Sequence, residues 1–222
     1  MAVYRPEVFR VGNLDEAKRI ILTPEPHTTT EERWEKETPY LVRQIGSLFK
    51  LNEQSLVLDY GCGIGRVAKG LIESFSCSVI GVDFSLQMRQ LAPAYVGSNR
   101  FFALAPESFD HLLARGLRVD HAFSIWVLQH CLQPQQDVQR IARAVNQAGG
   151  MYLVNNIRRA VPSDQGWLDD GIDIRQLMVQ FFTKKEEGRL PSDVVTDLLQ
   201  THSFWGLYQK DNGGLYNYQQ TT

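Results

Sequence analysis

The chain has 222 residues, 43% of them hydrophobic and 22% charged, which suits one soluble globular domain with a large core. Its formal net charge of −2 gives no general attraction to nucleic acid, whose binding domains usually show a basic face. Cys62, Cys77 and Cys131 lack metal-ligand spacing, and no apolar run suits a signal peptide or a membrane span. A reduced, cytoplasmic protein with no membrane partner is the expectation.

Asp15-Glu-Ala-Lys-Arg-Ile-Ile-Leu reads as a short helix stopped near Pro24 and Pro26. Thr28-Thr-Thr-Glu-Glu then marks a stronger helix start, with threonine caps and acids at the positive end of the dipole. Tyr40, Leu41, Ile45, Leu48 and Phe49 continue that helix toward a first strand.

Leu56-Val-Leu ends on Asp59, and Gly61, Gly63 and Gly65 follow at alternate positions before Arg66-Val-Ala-Lys-Gly-Leu-Ile resumes helical spacing. Strand, glycine turn and helix bring bare backbone against a nucleotide-like ligand. The third glycine comes one residue too early for the dinucleotide fingerprint, whose position holds Arg66. Ser78-Val-Ile-Gly-Val-Asp83 is a second strand ending in an acid, 24 residues after Asp59. A carboxylate there suits the paired hydroxyls of a ribose. Strands near 55–59, 78–82, 99–103, 119–124 and 150–155 alternate with helices near 65–75, 85–93, 107–115 and 134–146. That alternation implies a parallel sheet with helices on both faces and ligands at the carboxyl ends of the strands.

Residues 157–172 read as a polar loop, and Asp164, Asp169, Asp170 and Asp173 form an acidic cluster, mainly a solvated loop and alternatively an attraction for a cationic substrate. Arg158-Arg159 and Lys184-Lys185 read as solvated faces. Ile174, Leu177, Met178, Phe181 and Phe182 recur at helical spacing, and Pro191–Gln200 reads as a further helix. Phe204–Tyr208, Asp211-Asn-Gly-Gly and Leu215–Tyr218 read as a hairpin.

The pattern Asp59-x-Gly61-x-Gly63-x-Gly65, followed in order by Ser78–Asp83, Asp120–His130 and Gly149–Asn156, resembles the motifs of the class I S-adenosylmethionine-dependent methyltransferases. The likeness implies a Rossmann-like α/β fold: a seven-stranded, mostly parallel sheet with a C-terminal antiparallel hairpin, helices on both faces and an N-terminal helical lid. It implies one domain over 1–222, with a cap at 1–50, a cofactor-binding core at 51–156, and a substrate-side insertion and terminal hairpin at 157–222. It also implies S-adenosyl-L-methionine as cofactor. By resemblance Asp59, Gly61, Cys62, Gly63 and Gly65 surround its methionine part, Asp83 holds the ribose and Phe84 lies against the adenine. By the same resemblance Ser124 and Ile125, at the end of the fourth strand, bind the cofactor, and Arg33 pairs with its carboxylate. Where many members carry an acid after the third strand, Ala105 stands here, leaving the adenine to backbone contacts or to Glu107.

The reaction implied is in-line methyl transfer to a small-molecule acceptor through an oxygen, nitrogen or carbon nucleophile. His130 is the candidate base, with an ordinary pKa of about 6.5, and otherwise a packing histidine. Trp34, Trp126 and Asn155 are candidate substrate contacts; each also reads as a packing or turn residue. His27, His111, His121 and His202 show no mutual spacing for a metal, so none is expected. Two other readings stand beside this one. An RNA or protein methyltransferase is disfavoured where Ser124-Ile-Trp-Val replaces the Asn/Asp-Pro-Pro-Tyr/Phe motif of adenine and glutamine N-methylating members. A non-catalytic or non-methylating binder of the cofactor would need the same Asp59, glycines and Asp83.

Overall fold

The computed structural model describes residues 2–210. A 3-10 turn, Pro6–Phe9, leads to α1 (Leu14–Ile21) and α2 (Thr30–Phe49). Asn13 caps α1, and Thr29 and Glu32 form a reciprocal capping box on α2 that satisfies two otherwise orphan donors. The alternating core follows: β1 (Leu56–Tyr60), α3 (Arg66–Phe75), β2 (Ser78–Val82), α4 (Leu86–Val96), β3 (Phe101–Leu104), α5 (Pro106–Ala114), β4 (Val119–Ile125), α6 (Pro134–Ala144) and β5 (Val145–Asn156). Then come β6 (Val161–Ser163), β7 (Gly166–Leu168), α7 (Ile174–Met178), β8 (Thr183–Gly188), α8 (Asp197–His202) and β9 (Ser203–Gln209).

Seven strands form one sheet in the order β3-β2-β1-β4-β5-β9-β8. β1 to β5 pair in parallel, and β9 runs antiparallel to both of its neighbours. Alternate residues of each strand point to opposite faces, so both faces are buried. Val57, Val79, Phe123 and Tyr152 pack under α2 and α3 with Leu41, Ile45 and Leu71. Leu58, Ile80, Ala122 and Met151 pack on the other face with Phe109 and Ile141 of α5 and α6. The order reverses between β1 and β4, which opens a crevice at their carboxyl ends.

The C-terminal part differs from expectation in detail. The polar loop at 157–172 contains the small β6–β7 hairpin. The 174–182 periodicity yields only five helical residues, with Phe181 and Phe182 in the turn beyond. The helix expected from Pro191 starts only at Asp197, capped by Thr196, because Val194 and Val195 first turn back onto the Pro191 carbonyl. β9 takes the expected first arm of the hairpin, and its antiparallel partner is β8, which precedes it in the chain. Thr183-Lys-Lys-Glu-Glu-Gly has no apolar alternation to reveal a strand, and its charges suit an exposed edge. The expected turn at 211–214 and second arm at 215–218 lie outside the described residues. Among the described residues no helix is long and apolar enough to cross a membrane.

Candidate active site

The glycine loop is strapped to the end of β2. Gly61 and Cys62 donate their N–H groups to the Val82 carbonyl at 2.7 and 3.1 Å, and Gly63 donates to Asp83 Oδ2 at 2.8 Å. Gly61 sits at φ +81°, and a Cβ there would stand 2.2 Å from Val127, so only glycine fits. Asp83 Oδ1 accepts from the Ser85 N–H at 2.8 Å. The carboxylate is thus locked in orientation, and each oxygen keeps a further lone-pair site for a ligand hydroxyl. Burial raises the Asp83 pKa, against the two backbone hydrogen bonds and Arg89.

Asp59 is buried at the end of β1 and lines the same cavity. Its carboxylate takes no hydrogen bond among the described residues. Burial and the neighbouring Asp83 charge drive its pKa well up, opposed by Arg66. A buried acid in this state is satisfied by a proton or by a cationic ligand.

The cavity over the loop holds about 440 Å³, within the range of roughly 300–1,000 Å³ usual for small-molecule sites. Its roof comes from distant segments. Val3 and Arg5 pair with Asp164 and Pro162 of the β6 arm, through N–H to carbonyl bonds at 3.0 Å. The ring of Phe9 lies 5.7 Å from Phe84, 5.5 Å from His130 and 6.2 Å from Trp167, centroid to centroid. Ile21 of α1 covers Gly63, where a Cβ would stand 2.8 Å from its terminal methyl.

On the α2 side, Arg33 donates to Glu37 at 2.7 Å and to the Thr23 carbonyl at 2.7 Å. Arg66 donates to Thr38 at 3.0 Å. Trp126 follows β4 in the left-handed region (φ +62°), costly for an aromatic residue, and is held there by two bonds. Its backbone N–H donates to Val154 at 2.8 Å and its indole N–H to Glu37 at 3.1 Å.

His130 sits in a fixed network. Nδ1 lies 2.6 Å from the Ala160 carbonyl, so it carries the proton and donates. The Asn156 N–H donates to Gln129 Oε1 at 2.8 Å, which turns the Gln129 amide nitrogen toward His130 Nε2 at 3.2 Å. Nε2 is therefore the lone-pair nitrogen. Burial lowers the His130 pKa, opposed by the bond to Ala160 and reinforced by Arg159, so the ring is neutral at neutral pH. Arg159 is not the solvated residue its sequence context suggests. It is buried, paired to Asp170 through two bonds at 3.0 and 2.8 Å, and donates to the Leu128 carbonyl at 2.8 Å. The acidic cluster is likewise spent on structure: Asp164 accepts from Val3, Asp169 from Gly171, and Asp173 caps α7 and pairs with Arg175.

Of the residues singled out in the sequence, Arg33, Asp59, Gly61, Cys62, Gly63, Asp83, Phe84, Ile125, Trp126 and His130 line the cavity together. Five do not. Gly65 lies beneath it, where a Cβ would meet Val96 at 2.5 Å. Ser124 is buried and donates to the Tyr60 carbonyl at 2.8 Å. Asn155 is buried and accepts from the Gln129 N–H at 3.1 Å, so it shapes the His130 loop, while Asn156 reaches the cavity. Trp34 packs outside it against Tyr95, under Arg66. Glu107 is exposed in the first turn of α5. The sequence reading missed Tyr4, Phe9, Arg66 and Trp167 as cavity residues. A lone tryptophan in a polar loop was the one available signal, since exposed loop aromatics often serve a site.

Residues 58–153 match the family described as a methyltransferase domain. No curated protein matches the chain. Among solved structures, a chain from the complex between the Haloferax volcanii Trm112 methyltransferase activator and a protein named as a methyltransferase aligns with a TM-score of 0.63 at 18% identity, covering 82% of this chain and 92% of that one. Phosphoethanolamine N-methyltransferase 2 of Haemonchus contortus, in complex with S-adenosyl-L-methionine, aligns with a TM-score of 0.60 at 15% identity, covering 78% of this chain and 53% of that one. The [4+2]-cyclase SpnF aligns with a TM-score of 0.62 at 13% identity, covering 86% of each. At these identities the structural likenesses speak for the fold, and the matched domain supplies the chemistry. Residues 58–153 thus form a methyltransferase domain within a Rossmann-like methyltransferase fold, with S-adenosyl-L-methionine as the cofactor.

Proposed function

We propose that the chain methylates a small-molecule acceptor held beneath the roof formed by residues 3–9 and 161–168. One observation carries this reading: a roof tied down by backbone bonds covers a cavity of about 440 Å³, a size that suits a small ligand. The residues present suit the cofactor. Asp59 offers a buried, unpartnered carboxylate to a cationic group, Asp83 keeps two acceptor sites for the ribose hydroxyls, and exposed Phe84 offers a face to the adenine. Arg33 and Arg66 bring two guanidinium groups to the methionine end. When bound, the cofactor supplies an activated methyl group on a positively charged sulfur.

The protein's contribution is mainly placement, which can account for about 7–11 kcal/mol of a barrier. His130 adds a base where the nucleophile carries a proton. Ala160 fixes its tautomer, so Nε2 takes the proton, and the Gln129 amide gives up its contact there. The division into cap, core and substrate side belongs to this reading.

The test is transfer of labelled methyl from S-adenosylmethionine into a cell extract split by size. Label in the low-molecular-weight fraction is the expected result. Label confined to RNA or protein contradicts the small-molecule reading. Cofactor binding without any transfer favours a non-methylating role.

A further inference from the structure

The cavity's charges are gathered on one side. Glu25, Arg33, Asp59, Arg66 and Asp83 lie on the approach to α2, on α2, at the head of α3 or at the ends of β1 and β2. Each has a partner there or a matching group on the cofactor. Arg33 pairs with Glu37 and lies 4.0 Å from Glu25, which also accepts from the Thr196 hydroxyl. The opposite wall is Tyr4, Val8, Phe9, Ile20, Trp167 and His130. None of these carries a charge at neutral pH: burial pushes the Tyr4 phenol up to about 12 and holds the His130 ring neutral.

The mouth is apolar as well. Phe84 and Trp167 line the cavity yet stay 51% and 58% exposed, and Val8 and Ile20 are exposed beside them. A fixed ammonium, phosphate or carboxylate against the rings of this wall would meet no charged side chain in the lining, since Arg159 behind His130 is already paired to Asp170, and Gln129 and Asn156 beside it offer only neutral groups. A flat ring would find offset or edge contacts on Phe9 and Trp167. A molecule longer than the cavity can project past Val8 and Trp167 with apolar contact along the way. The single titratable acceptor on this wall, His130, suits a donor that gives up its proton near neutrality.

We propose that the acceptor is a neutral, flat, largely apolar molecule with a weakly acidic hydroxyl, packed against Phe9 and Trp167 with the hydroxyl in reach of His130. This rests on the cofactor occupying the glycine-loop side, as above. It separates this site from that of a charged acceptor such as phosphoethanolamine.

The experiment is calorimetry in two stages. S-Adenosylhomocysteine is titrated first. The saturated complex then receives 2-naphthol and 4-phenylphenol, both neutral at pH 7, and in parallel choline and phosphoethanolamine. Both phenols are expected to bind, and the charged probes to give at least tenfold weaker binding. Trp167→Ala is expected to weaken the phenols at least fivefold, Trp167→Phe to restore them, and both variants to change S-adenosylhomocysteine affinity less than twofold. The proposal is overturned if a charged probe binds the saturated complex as tightly as the phenols, if neither phenol binds it, or if Trp167→Ala leaves phenol affinity unchanged. No heat with S-adenosylhomocysteine at all would instead overturn the cofactor reading beneath it.

Discussion

The floor and the roof of the cavity are built on different physics. The floor is two backbone segments, the end of β1 with the glycine loop and the end of β2, locked together by N–H groups onto Val82 and Asp83. The roof joins residues 3–9, 127–130 and 159–168, and its fastenings are two backbone bonds linking residues 3 and 5 to 164 and 162, ring contacts, a two-strand hairpin and one half-buried ion pair. A floor of close-packed glycine backbone leaves almost no room for change, whereas a roof made of side chains on loops gives way piece by piece.

The largest effect expected is on the floor. Asp83→Ala removes the loop's anchor and the carboxylate proposed for the ribose, and should weaken S-adenosylmethionine roughly hundredfold, about 3 kcal/mol. Equilibrium binding measures this, and a change below threefold would remove Asp83 from the site. Next, Gly61→Ala and Phe9→Ala compare the two halves directly. The first forces a Cβ into Val127 at positive φ and should cost about 2–3 kcal/mol in urea unfolding; the second, half-buried, about 1 kcal/mol. Equal losses would erase the distinction drawn here. Arg159→Ala should cost roughly 1–2 kcal/mol, because Asp170 is left partly solvated, and should speed amide exchange at Leu128–His130.

The smallest effects expected are in pH dependence, and they carry opposite signs. The folded pKa of Asp59 lies above its unfolded value of about 3.9. Its contribution to stability is therefore complete below that pH and is lost as pH rises through the folded value. Asp59→Asn should stabilise the cofactor-free protein at neutral pH by about 1 kcal/mol and remove that slope. The folded pKa of His130 lies below about 6.5, so its contribution is present above that pH and is lost as pH falls through the folded value. His130→Gln should flatten the acid limb alone. Unfolding free energies measured across pH 4–8 read both, and matching slopes in the two variants would contradict the assignment.

What could be read from the sequence follows the same division. The strand–glycine–helix passage at 56–66 and the acid at Asp83 are local signals, because the spacing of a few residues sets the turn itself. The parallel order of β1 to β5 followed from the alternation of apolar runs and helical spacing. The roof gave no such signal, since Phe9, His130 and Trp167 meet only after the whole sheet is assembled. Arg159 looked like a surface cation because its partner Asp170 is eleven residues away across a hairpin. β8 was hidden because an exposed edge strand needs charge rather than alternation. Asn155 and Ser124 were drawn into the expected site by their place at strand ends, yet their side chains hold neighbouring backbone instead.

The central claim, that the glycine loop and Asp83 hold S-adenosylmethionine, is tested most directly by titrating S-adenosylhomocysteine into the wild-type protein and into Asp83→Ala. The account predicts a single site in the wild type and roughly hundredfold weaker binding in the variant. Absence of binding in the wild type, or equal affinity in both proteins, would contradict it.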